Sequence, residues 1–295
     1  MRLVLTLVAP DFDTLQDALP QALEAVAAGG RPVADTEVLG EGAMDLFVEG
    51  DDPALLHARA SAALERAGVD VCAQRAEGRR KALLVADMDS TIIGCECLDE
   101  LADFAGLKDQ VAAITARAMA GDIPFEGALR ERVGLLKGLD LTALERTFAE
   151  RVRLNPGAAT LVRTMTAHGA RCVLVTGGFD VFASRVAAAA GFSAWFANRL
   201  IDDGARLTGE VADPILGREA KLATLRDEAA RLGVPMARTL AVGDGANDLT
   251  MIEAAGLGVA WRARPVVAIQ ADARIEHTDL TALLYFQGYG AEVFA

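Results

Sequence analysis

Short apolar runs alternate with helical periodicity along the chain, and the order of these elements changes near residue 80. Before that point, apolar runs predict strands at residues 3–9, 33–39, 44–48 and 69–74, and helical spacing predicts helices at 13–28 and 51–67. The order strand, helix, strand, strand, helix, strand is that of a ferredoxin-like α+β domain. We therefore predict such a domain over residues 1–78, followed by a charged linker.

The remainder of the chain, residues 79–295, has the pattern of an α/β domain. Apolar strands predicted at 81–86, 171–175 and 239–242 each end in a polar or glycine-containing turn and are separated by long helical segments. Such spacing predicts a doubly wound parallel sheet, whose ligand site lies at the carboxyl ends of the strands. The mostly helical block at about 96–160 is too long for one crossover helix, so we predict an inserted helical cap.

Composition and charge limit the classes of partner. The chain carries a formal net charge of −13, which disfavours a nucleic-acid partner because nonspecific phosphate binding requires a basic surface. The longest apolar runs fall short of the ~18 residues of a membrane span, so we expect a cytoplasmic protein with no membrane partner. The four cysteines fit neither a disulfide framework nor zinc-site spacing, and we expect reduced thiols.

Four segments of the α/β domain carry side chains suited to phosphate chemistry. They are DMDST at 87–91, VTGGFD at 175–180, Lys221 in a predicted helix, and VGDGAND at 242–248. Three of them follow predicted strands, and parallel strands present their carboxyl ends at one edge of the sheet. We therefore expect all four segments to converge there.

A phosphate ester needs cations and oriented donors around its oxygens. Asp87 and Asp244 supply hard oxygen ligands of the kind that Mg²⁺ prefers, although Mn²⁺ accepts similar ligands. Thr176 and the Gly177 amide supply hydrogen bonds, and Lys221 supplies a positive charge. The set therefore predicts a metal-assisted site for a small phosphorylated substrate.

Each segment also has an ordinary structural interpretation. A D-x-D pair is commonly a solvated turn or a helix cap, Thr-Gly-Gly commonly forms a tight turn, and a lone lysine such as Lys221 is commonly exposed on a helix. The conjunction of all four on a parallel-sheet pattern carries the prediction.

These four segments resemble the motifs of the haloacid dehalogenase (HAD) superfamily of phosphotransferases, over about residues 80–290. The resemblance implies that Asp87 is the nucleophile and that Asp89 is the general acid and base, a role that argues against a dehalogenase. It also implies that the metal is held by Asp87, Asp244 and the backbone carbonyl of Asp89. Asp248 is implied to orient this metal site. Asn247 is implied to contact substrate or phosphate.

Longer stretches resemble the phosphoserine phosphatases of this superfamily, among them DMDSTIIGCECLDELA, RAMAGDIPFEGALRERVGLL and FANRL. This resemblance implies hydrolysis of O-phospho-L-serine, the last step of serine biosynthesis. It also implies that Glu96, Phe125 and Arg132 recognise the serine portion. Arg132 would bind the carboxylate, Glu96 the ammonium, and Phe125 would exclude water. Taken singly, these three are ordinary surface or core residues. Where the family commonly has serine, this chain has Thr176, whose hydroxyl can make the same hydrogen bond.

The N-terminal domain resembles the ACT-like modules attached to some enzymes of this kind, which pair between subunits and sometimes bind amino acids. The turn VAPDFDTL at 8–15 lacks the glycine common in ligand-binding versions. Pairing into a homodimer or a structural role is therefore implied at least as strongly as effector binding.

Two other functions remain open at this stage. One is a phosphomonoesterase of the same fold acting on phosphohomoserine, phosphothreonine or a small sugar phosphate, because the four segments interact only with the phosphate. The other is a catalytically silent amino-acid sensor, against which the intact set of Asp87, Asp89, Lys221 and Asp244 argues.

Overall fold

The computed structural model describes residues 1–30, 32–120 and 122–295, which form two separate sheets and a two-stranded ribbon. The strands are β1 Arg2–Val8, β2 Val33–Gly40, β3 Ala43–Glu49, β4 Asp70–Arg75, β5 Leu83–Ala86, β6 Arg171–Phe179, β7 Ala194–Asn198, β8 Leu200–Asp202, β9 Leu207–Val211, β10 Thr239–Gly243, β11 Gly258–Trp261 and β12 Ala273–Ile275. The α-helices are α1 Phe12–Ala27, α2 Pro53–Ala63, α3 Cys97–Phe104, α4 Lys108–Ala120, α5 Phe125–Leu135, α6 Leu141–Arg151, α7 Ala158–Ala167, α8 Asp180–Ala190, α9 Arg218–Leu232, α10 Leu249–Ala254, α11 Pro265–Ala268 and α12 Ala282–Phe286.

The N-terminal sheet has the strand order β2-β3-β1-β4 with every neighbouring pair antiparallel, which confirms the ferredoxin-like topology. Leu3, Leu5 and Leu7 on β1 pack with apolar residues of α1 and α2 on one face. Helix α2 is shorter than the predicted 51–67. It begins at Pro53 because Asp52 caps it, and it ends at Ala63, well before Gly68.

The other face of this sheet packs against the C-terminal part of the chain. Val8 and Cys72 share an apolar cluster with Phe286 of α12. The buried Asp70 carboxylate accepts hydrogen bonds from the backbone N–H groups of residues 276–278, at 2.8 to 3.3 Å. The chain thus covers this face itself, and β2, at one edge of the sheet, is mostly exposed.

The second sheet has six parallel strands in the order β12-β11-β10-β5-β6-β7, which confirms the predicted doubly wound α/β architecture. Strand order reverses at β5 and β10, and such a reversal opens a crevice at the carboxyl ends of the strands. All four residues of β5 are buried, because helices cover both faces of the sheet. Two of the predicted site residues, Asp87 and Asp244, therefore follow the strands at the reversal point.

Helices α3 to α6 form a separate layer above the carboxyl ends of the strands, with the antiparallel β8–β9 ribbon against α5. The ribbon is a hairpin that turns at Asp203-Gly204, where Gly204 has a left-handed φ of 90°. Helix α7 begins at Ala158, within the range predicted for the cap, but packs against α8 and β6 of the sheet domain. No helix among the described residues is long and apolar enough to cross a membrane.

Candidate active site

Asp87 directly follows β5 at the point where the sheet reverses. Its backbone N–H donates to the carbonyl of Val242 on β10 at 3.0 Å, and its carboxylate accepts from the Met88 N–H at 2.8 Å. The chain then turns sharply over Met88–Ile92, where Ser90 has a left-handed φ of 56°. This turn returns the next acidic residue, Asp89, to the same crevice.

Lys221 lies between two buried carboxylates. Its Nζ is 2.7 Å from Oδ1 of Asp87 and 2.6 Å from Oδ1 of Asp248, and all three side chains are nearly inaccessible to solvent. Burial alone would lower the pKa of Lys221, but the two carboxylates outweigh burial and raise it. Burial and Asp248 raise the pKa of Asp87 well above its usual value, while Lys221 opposes that rise.

A third carboxylate, that of Asp244, completes an acidic cluster after β10. One carboxylate oxygen each from Asp87, Asp244 and Asp248 lies within 4.8 Å of the others. Both oxygens of Asp248 already accept hydrogen bonds, from Lys221 and from the Gly245 N–H at 2.9 Å. Three hard oxygen donors beside one lysine are suited to a small divalent cation, and a cation there would also offset the raised pKa of Asp244, which burial causes.

The Asp89 carboxylate is held by one donor on each oxygen. The Cys97 N–H donates to Oδ1 at 2.9 Å, and the Thr176 hydroxyl donates to Oδ2 at 3.0 Å. Burial raises the pKa of Asp89, and the Cys97 hydrogen bond opposes that rise. A carboxyl group with a raised pKa is suited to delivering a proton.

Thr176 and Gly177 lie within β6, which is longer than the predicted 171–175. The strand continues to Phe179 because the two glycines form an irregularity in its pairing with β7, between Val175 and Phe179. The prediction that a turn follows Val175 is therefore wrong. The Gly178 N–H donates to the Thr176 hydroxyl at 2.8 Å, and both glycines line the crevice.

A cavity of about 400 Å³ lies between the strand ends and the cap helices. Its wall on the sheet side includes Asp87, Asp89, Thr176, Gly177, Asp244 and Asn247; its wall on the cap side includes Glu96, Phe125 and Arg132. Lys221 and Asp248 lie behind the wall and contact Asp87. The structure therefore brings every predicted site residue to this one place.

The cap side of the cavity carries one acidic side chain, that of Glu96, and one basic side chain, that of Arg132. Glu96 is open to the cavity but surrounded by protein, and burial together with Asp89 raises its pKa to about 7, against the hydrogen bond from Ser90. Nε of Arg132 donates to the Ala128 carbonyl at 3.3 Å. Its guanidinium makes no ion pair with any residue in the described parts of the chain. Both groups are thus available to a zwitterionic ligand.

Phe125 is the first residue of α5 and connects the cap to the sheet domain. A Cβ atom on Gly177 would lie 3.3 Å from Cζ of Phe125, and one on Gly217 would lie 3.5 Å from its Cδ1. The glycine at 177 therefore lets the ring approach the backbone closely, whereas a Cβ atom at 217 would make an ordinary contact. The ring is still 44% exposed, so it forms part of the cavity rim.

Three residues that hold this arrangement were not predicted from the sequence. Thr91 donates its hydroxyl to Asp244 at 2.9 Å, Ser90 donates to Glu96 at 2.7 Å, and Asn155 donates to the Thr91 carbonyl at 2.7 Å. Thr91 and Ser90 lie inside the DMDST motif, so their position was a usable signal. Asn155 is distant from that motif in the sequence, and no sequence pattern indicated its role.

A larger cavity, of about 590 Å³, lies between the N-terminal domain and the opposite end of the parallel sheet. Arg75, Lys81 and Arg238 are among the residues that line it. It does not include the carboxylate cluster, so volume alone does not identify the candidate site.

Comparisons with known proteins agree with the geometry. A family model described as haloacid dehalogenase-like hydrolase matches residues 84–253. A curated phosphoserine phosphatase from Streptomyces coelicolor is 44% identical over 228 residues, which cover 76% of this chain and 55% of that relative. This chain thus matches little more than half of that relative's length.

Two solved structures extend the comparison. A HAD family hydrolase from Salmonella enterica serovar Typhi has a TM-score of 0.84 at 29% identity and covers 98% of this chain and 99% of its own. A phospho-aspartyl intermediate analogue of phosphoserine phosphatase has a TM-score of 0.65 at 38% identity and covers 70% of this chain and 99% of its own.

Replacing Lys221 by Met should strongly destabilise the metal-free protein, because it leaves Asp87 and Asp248 buried without a counter-charge. We expect the free energy of unfolding in EDTA to fall by about 3–5 kcal/mol, as measured by urea denaturation. Adding Asp248→Asn should restore part of the loss. The control is Lys108→Met, on an exposed part of the cap. Equal stability of Lys221→Met and Lys108→Met would contradict this electrostatic account.

Proposed function

This chain belongs to the haloacid dehalogenase-like hydrolases, and we propose that within this family it is a phosphoserine phosphatase, which hydrolyses O-phospho-L-serine to L-serine and phosphate. Its membership confirms the superfamily resemblance of the four motifs. One observation carries the proposal. The cavity joins a phosphate-type site on the sheet side to a carboxyl group and an arginine on the cap side, and this arginine forms no ion pair with the residues that the structure describes.

The residues present fit Mg²⁺. Asp87, Asp244 and the backbone carbonyl of Asp89 would hold it, while Asp248 orients the site through its contacts with Lys221 and Gly245. When bound, the ion reduces the repulsion between the phosphate and the attacking carboxylate. The carboxylate cluster favours this assignment, because it concentrates more negative charge than Lys221 alone neutralises.

Asp87 is the nucleophile in the proposed reaction. A carboxylate oxygen of Asp87 forms a bond to phosphorus as the bond from phosphorus to the serine oxygen breaks, which yields an aspartyl-phosphate. Lys221 contacts Asp87 Oδ1 and favours the ionised form of that carboxylate, against the opposing effects of burial and Asp248. The Gly177 N–H holds one phosphate oxygen, and the Thr176 hydroxyl holds another once its single proton turns from Asp89 Oδ2 to the substrate.

Asp89 moves the proton in both halves of the reaction. Its carboxyl group gives a proton to the departing serine oxygen and then accepts one from the water that attacks the aspartyl-phosphate. Hydrolysis of that intermediate regenerates the Asp87 carboxylate. The Cys97 N–H, which donates to Oδ1 at 2.9 Å, fixes the orientation of Asp89 for both transfers.

The cap side recognises the serine portion. Arg132 binds the α-carboxylate with its free guanidinium nitrogens, and Glu96 binds the α-ammonium. Phe125 covers Gly177 and so limits the access of water to the phosphate. Asn247, at the rim, is placed to contact the substrate.

Replacing Asp87 by Asn should abolish phosphate release from phosphoserine, by about 10³-fold or more, because the nucleophile is lost. The fold should persist, since the change removes one buried charge and keeps the shape. Circular dichroism checks the fold, and Asp203→Asn in the exposed hairpin is the control. If Asp87→Asn turned over phosphoserine nearly as fast as Asp203→Asn, Asp87 would not be the nucleophile.

Adding Mg²⁺ should raise the thermal midpoint of the protein, because a ligand that binds only the folded state stabilises it. Asp244→Asn should abolish most of this shift, whereas Asp203→Asn should keep it. Differential scanning calorimetry measures this shift in the thermal midpoint independently of enzymatic activity. A full Mg²⁺ shift in Asp244→Asn would place the ion elsewhere.

Replacing Arg132 by Ala should raise KM for phosphoserine by about 10- to 100-fold, since a charge-assisted hydrogen-bond pair is lost. KM for p-nitrophenyl phosphate should barely change, because that ester has no carboxylate. Arg130→Ala, on the same helix but paired with Asp213 at the surface, is the control. Equal effects of Arg132→Ala on both substrates would argue against the substrate assignment.

The affinity for phosphoserine should improve as pH rises through about 7, because Glu96 must ionise to bind the ammonium and its pKa is raised to about 7. The acids Asp89, Asp99 and Asp244 and the Arg132 guanidinium surround it. The ratio of KM for phosphoserine to KM for p-nitrophenyl phosphate, measured from pH 6 to 8, isolates this titration. Glu96→Gln should flatten the ratio; an unchanged pH profile in that variant would exclude Glu96 as its cause.

A further inference from the structure

We propose that Asn198 is a positioning residue for phosphate binding, because its buried amide sets the spacing between the glycine irregularity of β6 and the start of helix α9. This inference rests on the proposed function and adds to it a residue outside the cavity. Asn198 is the last residue of β7 and is 1% exposed. It does not line the cavity and therefore acts through its neighbours.

The Asn198 amide makes three hydrogen bonds to two backbone segments. Nδ2 donates to the Gly177 carbonyl at 2.8 Å and to the Leu216 carbonyl at 3.1 Å, and Oδ1 accepts from the Leu216 N–H at 2.7 Å. One side chain thus binds the strand segment that presents the phosphate-binding amides and the segment that leads into α9. The β-pairing of Asn198 with Phe179 fixes its own position.

Each bridged segment leads to a group of the candidate site. Gly177 follows Thr176, whose hydroxyl reaches Asp89. Leu216 lies two residues before Arg218, where α9 begins, and Lys221 lies in the first turn of that helix. A shift of the 212–217 segment would therefore move Lys221 relative to Asp87, with which it forms a 2.7 Å contact.

The chemistry of the amide explains why asparagine stands at this position. Two carbonyls require a donor and one N–H requires an acceptor, and only a side-chain amide of this length supplies both from one place. Alanine would leave these three partly buried backbone groups without their partner, and aspartate would present a buried negative charge to two carbonyls. Because the Phe125 ring lies beside both Gly177 and Gly217, relaxation of the bridged segments would open the phosphate end of the cavity.

The inference predicts a particular kinetic signature. Asn198→Ala should lower kcat/KM by about 30- to 100-fold, the cost of small misplacements of reacting groups. The loss should be the same for phosphoserine and for p-nitrophenyl phosphate, because both present the same phosphate group. Inhibition by orthovanadate should weaken by a similar factor. This differs from Arg132→Ala, whose effect should fall on phosphoserine alone.

The matched control is Gln287→Ala, which removes another buried amide. Gln287 accepts from the Lys81 N–H at 3.0 Å and donates to the Leu283 carbonyl at 2.8 Å, and it does not line the cavity. Both alanine variants should lower the thermal midpoint, but only Asn198→Ala should change kcat/KM. If Asn198→Ala does not fold, Asn198→Ser carries the same measurement, with a smaller loss expected.

Two results would overturn the inference. One is a folded Asn198 variant with kcat/KM and vanadate inhibition equal to those of wild type; the other is an equal kinetic loss in Gln287→Ala. Failure of the proposed function is distinguishable, since p-nitrophenyl phosphate hydrolysis and vanadate binding do not depend on phosphoserine being the substrate. Wild-type protein that cleaves p-nitrophenyl phosphate but not phosphoserine would reject the substrate and leave the test of Asn198 intact.

Discussion

The contact of Lys221 with Asp87 and Asp248 is the interaction on which the site depends. Two buried carboxylates next to a third, that of Asp244, repel one another, and the low accessibility of the place makes that repulsion costly. Lys221 offsets part of it at 2.7 and 2.6 Å. The charge that remains is negative, so the cluster is poised for a divalent cation and, through it, for a phosphate.

Three parts of the fold, the parallel sheet, helix α9 and the cap, bring the groups of the site together. Reversal of strand order at β5 and β10 brings Asp87 and Asp244 together, and the first turn of α9 inserts Lys221 from the side. The cap then adds groups that have no role in phosphate chemistry, an arginine and a glutamate facing the same cavity. Phosphate recognition thus belongs to the sheet domain and recognition of the amino acid to the cap, a separation that lets their effects be measured independently.

The sequence predicted those parts of the structure that depend on local pattern. Buried strands followed by acidic residues indicated both the parallel sheet and the edge where the site lies, and the order of elements indicated the N-terminal topology. The path of β6 through Thr176-Gly177-Gly178 was not predicted, because glycine suits a turn and a strand irregularity equally well. The role of Asn198 in bridging Gly177 and Leu216 was also missed, since no local pattern reveals which distant backbone groups a buried amide will meet. The hydrogen bonds of Asp70 to the 276–278 segment, which help to fix the N-terminal domain in place, were missed for the same reason.

The central claim is that one cavity combines metal-dependent phosphate chemistry with recognition of serine. The most direct measurement is phosphate release from O-phospho-L-serine, with Mg²⁺ and with EDTA, beside O-phospho-L-threonine, phosphohomoserine and a sugar phosphate. The account predicts that phosphoserine is strongly preferred over the other esters, and that its hydrolysis is lost in EDTA. Equal rates on every ester would contradict the role of Glu96 and Arg132, and full activity in EDTA would contradict the role of the carboxylate cluster.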